Sequence, residues 1–177
     1  MAAKKKPGSR QPYTSNESAS KAEEPAAIYQ LGVQNGHVVN GFSQGAAARK
    51  PANHMTAMEK LEVVKNGVSK TELEVLKEQA GLDYDTLAQG LSTARATLIN
   101  IKGKDRFNFA VSEKIVGLED IYLYGYEVFG DKERFNRWMF RKNTALGDYT
   151  PFELINNQFG REEVKSLIGR IDYGVYS

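Results

Sequence analysis

After Pro51, apolar residues recur at steps of three and four, and each periodic stretch is bounded by a residue that starts or stops a helix. Met55 to Lys65 is the first, with Met58, Leu61 and Val64 or Lys65 on one face and Asn66-Gly67 at its end. Ser69 opens the next, Glu72 completes a capping box three residues on, and Gly81 closes it. Asp83 caps a short helix carrying Tyr84, Leu87 and Ala88. A turn at Leu91-Ser92-Thr93 leads to a helix from about Ala94 to Ile101. Asn108 caps a long helix to Phe129, with Val111, Ile115, Leu118, Tyr122, Tyr126 and Phe129 as its stripe, and Gly130 ends it. Asp131 caps a helix with Phe135, Trp138 and Met139 at i, i+3 and i+4. Thr150-Pro151-Phe152-Glu153 gives a cap, a proline at the first position and a glutamate at the third, so a helix is expected from there to Gly160. Val164, Leu167, Ile168 and Ile171 mark the last one. The expected fold class is all-α from about residue 54, with no internal repeat.

Before residue 54 this pattern lapses. Ala2 to Ala27 is Lys, Ser, Glu, Pro and Ala with one aromatic, Tyr13, too little apolar surface to offset the entropy of ordering. Ile28, Val33, Val38, Val39 and Phe42 are interrupted by Gly32, Gly36, Gly41 and Gly45, which suggests irregular chain ordered only by docking on the rest. Residues 1–53 are therefore expected to be a disordered, low-complexity tail, and removal of residues 1–50 is expected to spare the fold.

Charge sharpens the division. The net charge of +2 is small, but residues 1–50 hold 7 Lys/Arg against 3 Glu, while the remainder is slightly acidic. Any basic surface beyond the tail must come from local clustering. Zero Cys excludes disulfide scaffolds, thiolate metal sites and cysteine nucleophiles, and fits a cytoplasmic setting. No apolar run approaches the 18 or so residues of a membrane span, and Lys4-Lys5-Lys6 precede Pro and Gly rather than an apolar leader core. The two histidines, His37 and His54, lie in or beside the low-complexity part, and no HExxH, GxSxG or phosphate-loop pattern occurs. A catalytic role is not expected, nor a cofactor or metal, since carboxylates read as caps and exposed helix faces.

The stretch Leu87 to Leu98 resembles a helix-turn-helix. A small residue, Ala88, lets two helices cross closely; a three-residue turn follows; Thr97-Leu98 lies in the second helix. At about 100° per residue, Ala94, Thr97, Leu98 and Ile101 share one face, while Arg95, Ala96, Ile99 and Asn100 share the other. The second face suits the major groove, where Arg95 can pair with guanine and Asn100 with adenine. Lys102, Lys104 and Arg106 follow as phosphate contacts. Ser92 stands where a turn glycine is usual, and Ala94 where a capping serine is usual, so Thr93 or Ser92 would have to cap. The other reading of this stretch is a helical hairpin with a solvated basic loop.

The C-terminal third carries Trp138, then Asn143-Thr144-Ala145-Leu146-Gly147-Asp148-Tyr149-Thr150-Pro151-Phe152-Glu153-Leu154-Ile155, then Gly160, Val164, Leu167, Ile168 and the ending Arg170-Ile171-Asp172-Tyr173-Gly174-Val175-Tyr176. This order resembles the toxin-binding domain of the Xre/MbcA/ParS antitoxins over residues 131–177, and the Xre-type helix-turn-helix extends the resemblance back to about residue 70. Asp148 replaces the second glycine of the family's Leu-Gly-Gly. The resemblance implies an Xre-like helix-turn-helix DNA-binding domain over residues 54–130 and a small helical toxin-binding domain over residues 131–177. It also implies a RES-domain, NAD-degrading toxin as partner, masked sterically without a cofactor. Repression of the antitoxin's own operator and a homodimer matching a palindromic site go with it. Independently of the name, Trp138, Phe152, Leu154, Ile155, Phe159, Val164, Leu167 and Ile168 make a core too small to stand alone, which should pack on the long helix or on a partner. Arg161, Lys165, Arg170, Tyr173 and Tyr176 fit a protein interface, with the tyrosines alternatively closing the domain's own core. The rival functional reading is a helix-turn-helix regulator without a toxin partner.

Overall fold

The computed structural model describes residues 49–102 and 105–174. Residues 1–48 of the tail expected over residues 1–53, together with Lys104 and Tyr176, lie outside the described residues. Those described form eight α-helices: α1 (Ala57–Asn66), α2 (Lys70–Ala80), α3 (Tyr84–Gly90), α4 (Arg95–Asn100), α5 (Phe109–Phe129), α6 (Lys132–Met139), α7 (Pro151–Leu154) and α8 (Gln158–Asp172). Among them there is no β-strand, only one antiparallel bridge between Ser69 and Arg106. The fold is all-α, as the periodicity predicts.

The helix starts follow the expected side-chain chemistry. Ser69 and Glu72, and Thr150 and Glu153, form reciprocal capping boxes. Thr56 and Glu59 form a third. Asp83, Asn108 and Asp131 each accept the N–H three residues on. Each such cap answers an N–H that the helix cannot, a contribution of roughly 1 kcal/mol.

The long stripe becomes the central helix of the described residues. Val111, Ile115, Leu118, Tyr122 and Tyr126 are buried as expected, but so are Val116, Ile121 and Leu123 on other faces. The reason is that α5 is covered from several sides, by α1, α6 and α8 among others. One continuous hydrophobic cluster runs from Leu73, Leu76 and Leu98 through α5 to Phe135, Phe152, Val164 and Ile168. The division expected at residue 130 falls inside this core. Gly125 lets the Phe135 ring lie against the backbone of α5; a Cβ there would stand 2.1 Å from the ring.

Four expectations are corrected. The helix begun at Thr150 stops at Leu154 instead of Gly160, because the chain folds back so tightly that a Cβ on Gly160 would lie 1.8 Å from the Leu154 carbonyl oxygen. Gly160 instead sits in the first turn of α8, where its N–H is capped by Asn157. Met58 and Phe159, placed on core faces by periodicity, are exposed: α1 turns Val64 inward and α8 turns Val164, Leu167 and Ile168 inward. Carboxylates are not confined to caps and surfaces, since Glu119 is buried completely and Asp120 nearly so. The boundary of the tail also lies earlier than residue 53. Ala52–His54 is a 3-10 turn with Ala52 fully buried, and Arg49 reaches Glu72 at 2.9 Å and Glu119 at 2.5 Å.

Candidate functional site

The α3–turn–α4 unit is built from short helices pinned at their joint. Ala88 is buried, and its carbonyl accepts the Thr93 N–H at 2.9 Å, which closes the turn. Ser92 takes the left-handed conformation (φ 45°) where a glycine is usual. Its carbonyl accepts a hydrogen bond from Lys114 of α5 at 2.9 Å. Neither Ser92 nor Thr93 caps α4: Ala94 occupies the cap position without a side-chain bond, and the Thr93 hydroxyl donates to the Leu91 carbonyl instead.

With six residues, α4 is too short to bury a full face. Leu98 is fully buried and Ile101 partly so, whereas Ala94 and Thr97 are exposed, a correction to the inward face expected for them. On the other face Arg95, Ala96 and Asn100 are exposed, followed by Lys102. Ile99 is only half out, and its carbonyl accepts from Lys70 at 2.5 Å. Arg106 is about half exposed; one terminal nitrogen donates to the Gly67 carbonyl at 2.7 Å and lies 3.9 Å from Glu72. The structure thus brings Arg95, Ala96 and Asn100 to one outer edge and places Lys102 just beyond it. Arg95 is not free: its Nε lies 3.0 Å from a carboxylate oxygen of Asp85 on α3.

The cations of the last helix behave differently. Arg161 is drawn inward, with its side chain 12% exposed, Glu113 at 2.6 Å and the backbone of Gly117 against it. It is a strut between α8 and α5, a correction to its expected place on the free surface. Lys165 pairs with Asp120 at 2.6 Å, and Arg170 with Glu163 at 3.6 Å. Tyr173 is 83% exposed, too open to latch the domain's own core. Its neighbourhood is marked by Tyr124, whose pKa is raised chiefly by burial and then by Asp172 and Tyr173. Trp138 is half-buried, stacked on Phe135 at 5.5 Å.

Sequence reasoning missed an aromatic cleft. Phe140 stacks on Phe152 at 4.7 Å, and Tyr149 joins Phe152, Leu154, Glu153, Asn156 and Gln89 around an open depression. Phe140 and Tyr149 are exposed. The available signal was that both stand outside the apolar periodicity of α6 and α7 while sharing one loop. The back of Phe152 closes on Gly90, where a Cβ would meet its ring at 2.8 Å, so this cleft adjoins the helix-turn-helix.

Behind both surfaces, one cation, Arg49, serves the buried Glu119 and the partly buried Glu72. Burial works to raise the Glu72 pKa, but the Ser69 N–H and hydroxyl, with Arg49, outweigh it and leave it lowered. At Glu119 burial dominates and raises the pKa despite Arg49 and, more weakly, the Ala52 N–H. Among the described residues, no helix is long and apolar enough to cross a membrane.

Comparison with known proteins bears on the C-terminal half of this arrangement. The sequence model described as antitoxin Xre/MbcA/ParS C-terminal toxin-binding domain matches residues 125–174, from the last turn of α5 through α8. A protein named antitoxin Xre, from Photorhabdus laumondii subsp. laumondii, is 33% identical over 76 residues, 42% of this chain and 51% of the relative. The chain therefore spans about half the length of that relative. Trp138, Leu146-Gly147, Thr150-Pro151, Val164 and Arg170-Ile171 all lie within the matched segment, which folds as helices packed on α5; over it the chain is similar to the toxin-binding domain of the Xre/MbcA/ParS antitoxins.

Proposed function

We propose that this chain is the antitoxin of a type II toxin–antitoxin pair. Its C-terminal segment masks a RES-domain, NAD-degrading toxin, and its helix-turn-helix represses the operon by binding the operator as a homodimer in the cytoplasm. The observation that carries the antitoxin reading is the match of residues 125–174 to a toxin-binding domain. Masking needs no catalytic group or cofactor from this chain. The DNA reading is supported by Arg95, Ala96 and Asn100 on the outer edge of α4 with Lys102 beside them. Of the chain-end residues, Tyr173 is the contact that exposure favours, while Arg161 acts from behind by holding α8.

The test is co-purification of the tagged full chain from its native host, with mass spectrometry of what remains bound. A RES-domain protein in near-equal amount is expected, and Tyr173→Ala should weaken that complex by about 1–3 kcal/mol with the melting temperature of the free chain unchanged. Recovery of DNA with no protein partner would favour the regulator reading, for which the exposed edge of α4 would then be the sole functional surface.

A further inference from the structure

Arg95 occupies the first helical position of α4, the end of a recognition helix that meets base edges. Its side chain is 57% exposed, and the Asp85 side chain that holds its Nε is 75% exposed. An exposed pair of this kind adds little to stability, so its consequence lies in where the guanidinium points. Bidentate pairing with guanine needs two N–H donors side by side. A carboxylate on Nε occupies the inner edge of the fork and leaves the two terminal nitrogens as the outer edge. A second acid stands nearby. Asp83 caps α3 and is held below the usual carboxylate range chiefly by hydrogen bonds from Thr86 and in smaller part by Arg95. The start of α3 therefore carries two carboxylates, Asp83 and Asp85.

We propose that Asp85 is a positioning and specificity-determining residue for DNA readout: it aims Arg95 at a base edge and, with Asp83, repels backbone phosphate from the same corner. This rests on the DNA-binding reading above. Asp85 touches no base. It raises discrimination by fixing the fork before binding, so that less side-chain freedom is lost in the specific complex, and by penalising complexes in which Arg95 would be spent on phosphate.

The experiment uses the full chain. A duplex pool with a randomised centre is enriched on the wild-type protein, and affinities are then measured for the selected duplex and for a scrambled duplex of equal length at two salt concentrations. Asp85→Asn should tighten binding to the scrambled duplex and reduce the selected-to-scrambled ratio by about fivefold or more. Its melting temperature should not move. Asp85→Glu, which keeps the charge on a longer arm, should retain most of the ratio. In an Arg95→Ala background, Asp85→Asn should still tighten scrambled DNA but leave the ratio unchanged, because its effect on readout passes through Arg95. An unaltered ratio in Asp85→Asn, or an equal loss with and without Arg95, overturns the proposal while leaving DNA binding intact. Failure of the wild-type chain to enrich any duplex overturns the DNA-binding reading and this proposal together.

Discussion

Along α5, four acids each receive a nitrogen from another element: Glu113 from Arg161, Glu119 from Arg49, Asp120 from Lys60 and Lys165, and Glu127 from His54. Around α4 the cations face outward, with one exposed acid on Arg95 and a backbone carbonyl on Arg106. Both regions are rich in Lys and Arg, yet one uses them to join helices and the other presents them. At Glu119 and Asp120 the burial of the receiving acid makes the difference, whereas Glu113 and Glu127 stay nearly half exposed. A buried carboxylate that loses its cation must stay desolvated or take up a proton, whereas an exposed one simply rehydrates. The cations held by the buried acids of α5 should therefore be stability residues, and those at α4 should be binding residues.

The strongest way to break this contrast is Arg49→Ala. It strands Glu119 in the core and strips Glu72 of a partner, so a loss of about 3 kcal/mol is expected in a denaturant titration. Truncation of residues 1–50 should cost a similar amount, which reverses the expectation from composition that the tail is dispensable as far as residue 50. A truncated protein with wild-type stability would show that the α5 acids do not need their cations.

Next in size is a crossed pair. Arg95→Ala should lose about 1–3 kcal/mol of affinity for the selected duplex without moving the melting temperature. Arg161→Ala should do the reverse, costing about 1–2 kcal/mol of stability by removing the Glu113 pair and the packing on Gly117, with DNA affinity unchanged in the folded protein. The roles of the two arginines would be exchanged by the opposite result.

This contrast was only half legible in the sequence. Caps and stripes gave the helices at Ser69, Asp83, Asn108, Asp131 and Thr150, because those signals are local: an oxygen three residues before an N–H, an apolar side chain every turn. Arg95 and Asn100 could be placed outward by the same reasoning. Arg161 and Arg95 cannot be told apart locally, since the difference lies 48 residues away at Glu113. Glu119 and Asp120 on α5 looked like surface acids for the same reason; only the approach of Arg49, Lys60 and Lys165 makes their burial tolerable. The fold-back at Gly160 was hidden because a glycine after a helical stretch reads as a stop, while here the close approach of Leu154 demands it inside the following helix.

Acid should separate the two kinds of carboxylate more gently. The Glu59, Glu72 and Glu153 pKa values are lowered from their usual 4.5, with hydrogen bonds from the cap residues the favourable cause in each; only for Glu72 does burial exert the largest single effect, and it opposes the shift. Their contribution is present above 4.5 and is lost as pH falls through the lowered values, where the unfolded chain binds more protons. Glu119 has the opposite sign: with a raised pKa it binds a proton in the folded state first, so its effect favours the fold as pH falls toward 4.5. Stability should therefore peak on the mildly acidic side of neutral and decline below about 4.5. Glu119→Gln should remove the acidic rise and leave the decline, as read from melting temperature against pH.

The smallest expected effect distinguishes the two turns in which the chain departs from the patterns it resembles. Ser92, at the helix-turn-helix, and Asp148, between Gly147 and Thr150, are the non-glycine residues with positive φ among those described, at 45° and 64°. A Cβ in this conformation crowds the following carbonyl, which is why glycine is usual there. Asp tolerates the left-handed region better than Ser does, because its short polar side chain can bond locally. Glycine also enlarges the entropy of the unfolded chain, which offsets part of the relief. Ser92→Gly should therefore stabilise by about 0.5–1 kcal/mol, or roughly 2 °C for a chain of this size, and Asp148→Gly by less. The Lys114 bond to the residue 92 carbonyl is a backbone contact that either side chain leaves in place. Ser92→Gly should accordingly leave DNA selectivity unchanged, so a glycine variant that melts earlier, or reads DNA differently, would show that the left-handed turn is not what holds α4 against α3.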